Sequence, residues 1–256
     1  MTLSIHREGY KFIGIGLAIS IVFLLFCHAL FWTSLLITIG IALFFRNPRR
    51  AVPKDDNLIV STADGTICNI VYEEPPEELE LGKEKRYRIS IFLSLFDVHI
   101  NRVPISGTVK KVIYTPGQFI DASVDKSSLC NERNTIVLQM NNNNDSDAQN
   151  DNNKKSTNKN TEQENNLTQV NNNNCIAFSQ IAGKVARRIV CDIHDGQEIQ
   201  KGEVFGLIRF GSRNDVWLPV GAVPQVYVGQ TSIAGETVLS DLSQKDIKPR
   251  ECTIVQ

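Results

Sequence analysis

The stretch Gly196-Gln197-Glu198-Ile199-Gln200-Lys201-Gly202-Glu203 and its echo Gly229-Gln230-Thr231-Ser232-Ile233-Ala234-Gly235-Glu236 decide the fold. Both read G-Q-x-x-x-x-G-E, with the isoleucine shifted by one place between them. Glycines at this interval punctuate short β segments, each supplying a turn. Outward from these repeats, from Pro53 onward, short runs of β-forming residues alternate with turn residues: 57–62, 66–72, 87–96, 107–114, 134–140, 176–191, 204–210, 216–218 and 224–228. Strands this short, spaced by turns, predict a sandwich or barrel-like core.

The N-terminus has a different texture. From Phe12 to Phe45 the chain is apolar apart from Ser20, His28, Thr33, Ser34, Thr38 and small glycines. The run is too long for one untilted membrane helix of about 20 residues and short for two full spans. A tilted span, a short hairpin and an embedded helix pair all fit. Arg7 and Lys11 precede it, and Arg46, Arg49 and Arg50 follow it, placing cations where anionic headgroups would lie. A hairpin with both ends in the cytoplasm is the simplest arrangement, with the chain associated with the cell membrane. Residues 1–50 are therefore read as a membrane-associated segment and 51–256 as a β-rich domain.

Residues 141–174 interrupt that domain. Asparagine dominates there and almost nothing is apolar, so the segment buries too little surface to offset its ordering entropy and is expected to be a disordered insert. The net charge of −1 gives no reason to expect a nucleic-acid partner. Six cysteines, at 27, 68, 130, 175, 191 and 252, form no C-x-x-C pair and no metal-ligand pattern, so no metal is expected. Monomer and homo-oligomer both remain open.

Gly211-Ser212 is the only Gly-Ser dipeptide in the chain and sits between two apolar, β-like runs. A serine hydroxyl can attack the carbonyl before it, and glycine there removes the Cβ that would crowd the attack. The attack needs a base. Of four histidines, His6 lies near the start, His28 in the apolar run and His194 in an expected turn; His99 remains.

The stretch from Arg209 to Pro219, R-F-G-S-R-N-D-V-W-L-P, closely resembles the processing site of the short bacterial and archaeal phosphatidylserine decarboxylases. Four more stretches agree in order and spacing: 44–50 (FFRNPRR), 61–65 (STADG), 92–104 (FLSLFDVHINRVP) and 180–191 (QIAGKVARRIVC). The resemblance implies a proenzyme cut between Gly211 and Ser212 into a β chain and an α chain. Ser212 would become a pyruvoyl group (bound pyruvate), form a Schiff base with phosphatidylserine and release CO2 to give phosphatidylethanolamine. It implies catalytic roles for Ser212, His99 and Asp64, the last as the aspartate of a protease-like triad during self-cleavage. Where longer relatives carry a second histidine, this chain has Arg102, a candidate for an anionic substrate group, as are Arg209 and Arg213 beside the cut. The G-Q-x-x-x-x-G-E hairpins resemble those of biotinyl- and lipoyl-type barrel-sandwich domains. The expected fold is thus mainly β, a barrel-sandwich-like core with an N-terminal apolar helical membrane segment. Two alternatives are a membrane-tethered biotinyl- or lipoyl-like carrier, with Lys201 as the only lysine near a repeat turn, and a pyruvoyl decarboxylase of a soluble amino acid.

Overall fold

A computed structural model of the chain describes residues 4–117, 130–141, 173–183, 188–209 and 212–244. The asparagine-rich insert, apart from residues 141, 173 and 174, lies outside the described residues, as does Gly211. Strand β1 (Ser4–Ile5) leads into helices α1 (Arg7–Phe26) and α2 (His28–Phe44), then β2 (Arg46–Asn47), β3 (Leu58–Val60), β4 (Gly65–Glu73), β5 (Arg86–Leu93), β6 (Ile100–Arg102), β7 (Gly107–Thr115) and β8 (Arg133–Met140). Next come β9 (Cys175–Ala182), β10 (Ile189–Cys191), β11 (Glu198–Ile199), β12 (Val204–Ile208), β13 (Ser212–Trp217), β14 (Thr231–Ser232) and β15 (Val238–Asp241).

The chain is mainly β, as expected. One curled eight-stranded sheet runs β11-β7-β8-β9-β13-β5-β4-β14, and all its described pairings are antiparallel. Its concave interior holds Ile67, Ile89, Ile91, Val109, Ile136, Phe178 and Val216, none more than 1 % exposed. The small sheets β10-β12-β6 and β15-β3 contribute Phe205, Ile59 and Leu239 to the same core.

The two glycine repeats supply the outermost strands, β11 and β14, at opposite edges of this sheet. They dock identically: Gly196 N–H donates to Val109 O and Gly229 N–H to Ile67 O, each at 2.8 Å. Gly202 and Gly235 have φ of 80° and 79°, the left-handed region that a Cβ disfavours. Two similar halves emerge. β3, β4 and β5 with β14 and β15 match β6, β7 and β8 with β11 and β12, down to the ladder irregularity between Ile67 and Asn69 in one and between Val109 and Lys111 in the other. β9 and β13 join the halves at the centre.

The apolar N-terminus is a helical hairpin. Cys27, in extended conformation, breaks the helix. Contacts recede from it in antiparallel order: Ser34 Oγ to Ser20 Oγ at 3.0 Å, Gly16 against Thr38, then Gly9 against Phe45. α1 is long and apolar enough to cross a membrane; at 20 residues it spans about 30 Å. β1 pairs with β2, so both hairpin ends return to the same place against the β body. Arg7 pairs with Asp192 and Arg209 with Glu8, locking the hairpin base.

Some sequence expectations needed correcting. Residues 176–191 are two strands in different sheets, and 224–228 contribute only an isolated bridge from Pro224 to Ser240. The second β-like run begins earlier than its apolar residues: the polar trio Arg213-Asn214-Asp215 lies inside β13, every residue of which is buried. Pairing makes that tolerable: Arg213 and Asp215 sit two apart on one face and neutralise each other at 2.6 Å.

Candidate active site

Ser212 opens β13, opposite Leu93 of β5 and Ala182 of β9. Alternation along a strand puts Ser212, Asn214 and Val216 on one face, and Val216 belongs to the core, so Ser212 points into the interior. It is 0 % exposed, and its Oγ has no hydrogen-bond partner among the described residues.

His99 reaches the same end of the sheet by two routes. β5 ends at Leu93, beside Ser212, and a tight turn closes with Asp97 N–H donating to Ser94 O at 3.1 Å and Ser94 N–H to the Asp97 carboxylate at 2.7 Å. Two residues on, the His99 carbonyl accepts from Ile208 N–H at 3.3 Å, near the end of the run leading to Ser212. His99 Nδ1 lies 3.0 Å from the Asp97 carbonyl oxygen. A carbonyl only accepts, so in the neutral ring Nδ1 carries the hydrogen and Nε2 keeps its lone pair. Burial lowers the pKa to about 4, so the ring is neutral at pH 7. Nε2 is buried and has no partner among the described residues. Phe44, in the last turn of α2, packs on the ring at 4.3 Å between centroids.

Two such orphaned atoms are costly: a buried polar group without a partner loses about 1–3 kcal/mol. A hydroxyl and an unprotonated imidazole nitrogen at one end of a sheet are a nucleophile and a base. Polar neighbours line the same interior. Gln180, opposite Asn214, donates to Asn101 Oδ1 at 2.9 Å, and Thr62 Oγ1 lies 3.4 Å from Asn214 Oδ1. Asn101 Nδ2 and Asn214 Nδ2 are also buried without partners among the described residues.

Asp64 is held elsewhere. One carboxylate oxygen accepts from Arg50 at 2.6 Å and the other from Ala234 N–H at 2.8 Å. Burial pushes its pKa up against the pull of those two partners. His99 meets the Asp97 carbonyl instead, so no described hydrogen bond joins Asp64 to His99.

The arginines named as anion candidates are engaged. Arg102 donates to Gly202 O at 2.8 Å, Asn47 Oδ1 at 2.7 Å and Pro48 O at 3.1 Å. Arg213 is 1 % exposed and clasps Asp215 and Ser90 on the face opposite Ser212. Arg88 joins that network, reaching Asp215 at 3.2 Å and Glu73 at 2.6 Å. Arg209 pairs with Glu8 and lies over the Phe12 ring at 5.1 Å. Lys201 Nζ turns back onto the Asp55 carbonyl, unlike a carrier lysine held out at a hairpin tip.

Comparison with known proteins places the chain in a family. The family model described as phosphatidylserine decarboxylase matches residues 38–148 and 144–240. Proteins named phosphatidylserine decarboxylase proenzyme are 44 % identical in Nitrobacter winogradskyi (94 % of this chain, 86 % of the relative) and 43 % in Beijerinckia indica (96 % and 92 %). Another in Cereibacter sphaeroides is 41 % identical, over 95 % of this chain and 92 % of the relative. The chain belongs to the phosphatidylserine decarboxylase family.

Within that family's motifs, two kinds of residue separate. Ser212 Oγ and His99 Nε2 are buried with no partner among the described residues, whereas Arg213, Asp215 and Arg102 are engaged in bonds that hold the fold together. The sequence reading missed Phe44, the Asp97 carbonyl and the Asn101–Gln180–Asn214 group. Phe44 was within the quoted FFRNPRR stretch, and Asn214 follows Ser212 at the two-residue interval that shares a strand face. The Asp97 carbonyl left no side-chain signal.

Proposed function

We propose that this phosphatidylserine decarboxylase is made as a proenzyme that severs its own backbone between Gly211 and Ser212 and then converts phosphatidylserine to phosphatidylethanolamine and CO2. Family membership supports the reaction; the observation that carries the site is the pair of buried, partnerless atoms Ser212 Oγ and His99 Nε2. His99 Nε2 takes the hydroxyl proton as Oγ attacks the carbonyl of residue 211, and the peptide bond becomes an ester. Loss of the residue-212 Cα proton then expels the carboxylate of residue 211. Hydrolysis of the dehydroalanine left behind releases ammonia. A pyruvoyl group at residue 212 supplies a ketone that condenses with the substrate amine and accepts the electron pair as CO2 departs. The site suits it: the interior around Ser212 is enclosed, and neutral amides of Asn101 and Asn214 line it rather than charges. His99 remains to return a proton to the substrate.

Asp64 is proposed as the orienting carboxylate of cleavage, a role that requires it to exchange Arg50 for His99. Residues 1–50 serve as the membrane segment and 51–256 as the catalytic domain, with the hairpin in the cell membrane and the catalytic domain on its cytoplasmic side. An apolar α1 and basic residues at both hairpin ends support that placement.

Denaturing electrophoresis with mass spectrometry tests the proposal. The purified chain is expected as two fragments, the smaller starting at residue 212 with a pyruvoyl-blocked end. An intact chain with full decarboxylase activity defeats it. Ser212→Ala is expected to abolish both cleavage and CO2 release, and phosphatidylserine is expected to react where free serine does not.

A further inference from the structure

We propose that the apolar cleft between α2 and the turn at residues 94–97 seats one acyl chain of the phosphatidylserine whose headgroup is decarboxylated. This inference rests on the proposed function and adds a lipid-chain subsite to it.

The cleft has a volume of about 600 Å3, within the roughly 300–1,000 Å3 of small-molecule sites. Ile37, Gly40, Leu43 and Phe44 of α2 form one wall, and Leu95 and Phe96 the other. Phe96 is 87 % exposed and Leu95 52 % exposed, an arrangement that water penalises and a lipid surface does not. The occupant follows from which groups line and adjoin the cleft. Beside it lies the helix hairpin with its exposed apolar flanks. Arg46 also lines it, donating to Leu43 O at 2.8 Å and Phe96 O at 2.7 Å but meeting no carboxylate among the described residues. Its positive charge is therefore unneutralised and near enough to disfavour protonation of His99. Phe44, part of the cleft wall, packs on His99 at 4.3 Å. An apolar wall that adjoins a cation and, through Phe44, the imidazole matches the acyl chain, phosphate and serine headgroup of the lipid. A chain leaving the bilayer gains little from another apolar surface, since lipid tails are equally apolar. The cleft therefore acts by registering the headgroup against His99 rather than by adding affinity.

Gly40 offers a direct test. A Cβ built there meets nothing within 4 Å, so Gly40→Phe projects a ring into the cleft without a backbone clash. Phe96→Ser strips the opposite wall at an exposed position and decides alone if Gly40→Phe is not processed. The quantity read is the ratio of kcat/KM for dioleoyl phosphatidylserine in mixed micelles to kcat/KM for dihexanoyl phosphatidylserine in free solution, on fully cleaved protein. The ratio is expected to fall about tenfold or more in Gly40→Phe, and in the same direction in Phe96→Ser. A ratio within about twofold of wild type in the processed variants overturns the proposal, as does an equal loss on both substrates, which reports damage to the site itself. A wild-type chain that is cut but inert to every phosphatidylserine overturns the proposed function instead.

Discussion

The two halves of the β body are built alike and differ at the proposed site. Asp64-Gly65-Thr66 opens β4 and Ser106-Gly107-Thr108 opens β7. In both, a Cβ on the glycine would strike a neighbouring carbonyl oxygen, Phe92 O at 2.1 Å or Gln139 O at 2.2 Å. In both, the residue before that glycine accepts a backbone N–H from a repeat turn: Asp64 from Ala234 at 2.8 Å, Ser106 from Lys201 at 3.0 Å. His99 precedes β6 and its carbonyl accepts from Ile208; Asn57 precedes β3 and its carbonyl accepts from Leu242. Even the start of β13 has a counterpart: Ser212 faces Leu93, and Asn174, where the asparagine-rich stretch rejoins the sheet, faces Met140. A serviceable β scaffold thus needs no histidine, carboxylate or serine at these places. Their presence in one copy of each pair fits the roles proposed for them.

Making the halves more alike should therefore remove function before it removes the fold. The largest effect is expected from His99→Asn, which installs the residue of the equivalent place. Self-cleavage should slow by about 10²-fold or more, followed as conversion of the single band to two over time. The seam between the halves behaves oppositely. Asp215→Ala in an uncleavable Ser212→Ala background removes the buried carboxylate that Arg213 and Arg88 share and should cost about 3–5 kcal/mol in urea unfolding. An effect under about 1 kcal/mol would show that the network is not the brace described here.

Acid should expose the same asymmetry. The unfolded chain protonates a histidine near pH 6.5 and the folded chain protonates His99 only near pH 4, so between these values the unfolded state binds more protons. His99's contribution is fully present above pH 6.5 and lost as pH falls to 4, by roughly 3 kcal/mol. Comparing Ser212→Ala with Ser212→Ala/His99→Gln across that range isolates it, and Asn57 has no counterpart to this slope. The smallest effects on stability belong to the turn acceptors. Ser106→Ala should cost about 1 kcal/mol and leave cleavage untouched. Asp64→Ser keeps an acceptor for Ala234 and loses the Arg50 pair; slower cleavage there, with Ser106→Ala unaffected, is the expected contrast. Equal cleavage rates would leave Asp64 a turn residue like its counterpart.

These contrasts also explain what the sequence made legible. The glycine repeats announced the hairpins because a left-handed turn constrains residue type directly. Ser212 and His99 stood out because nucleophile and base chemistry needs particular side chains. Cys27 was invisible as a hinge because one extended residue between apolar helices carries no compositional mark. Arg213, Asn214 and Asp215 misled because polarity normally signals exposure, whereas here mutual pairing lets them lie inside a central strand. Arg102 looked available for an anion until backbone carbonyls accounted for it, and carbonyls leave no trace in side-chain pattern.

The position of β13 has one more consequence. A cut before Ser212 divides the chain so that the short piece owns the middle rung of the large sheet, gripped by β5 on one side and β9 on the other. It also owns β14 at that sheet's rim and β15 against β3. The severed pieces are woven rather than docked, and neither can leave without unravelling the other. Maturation should therefore be silent to size-exclusion chromatography and to dilution, and visible only once the weave is dissolved by denaturant.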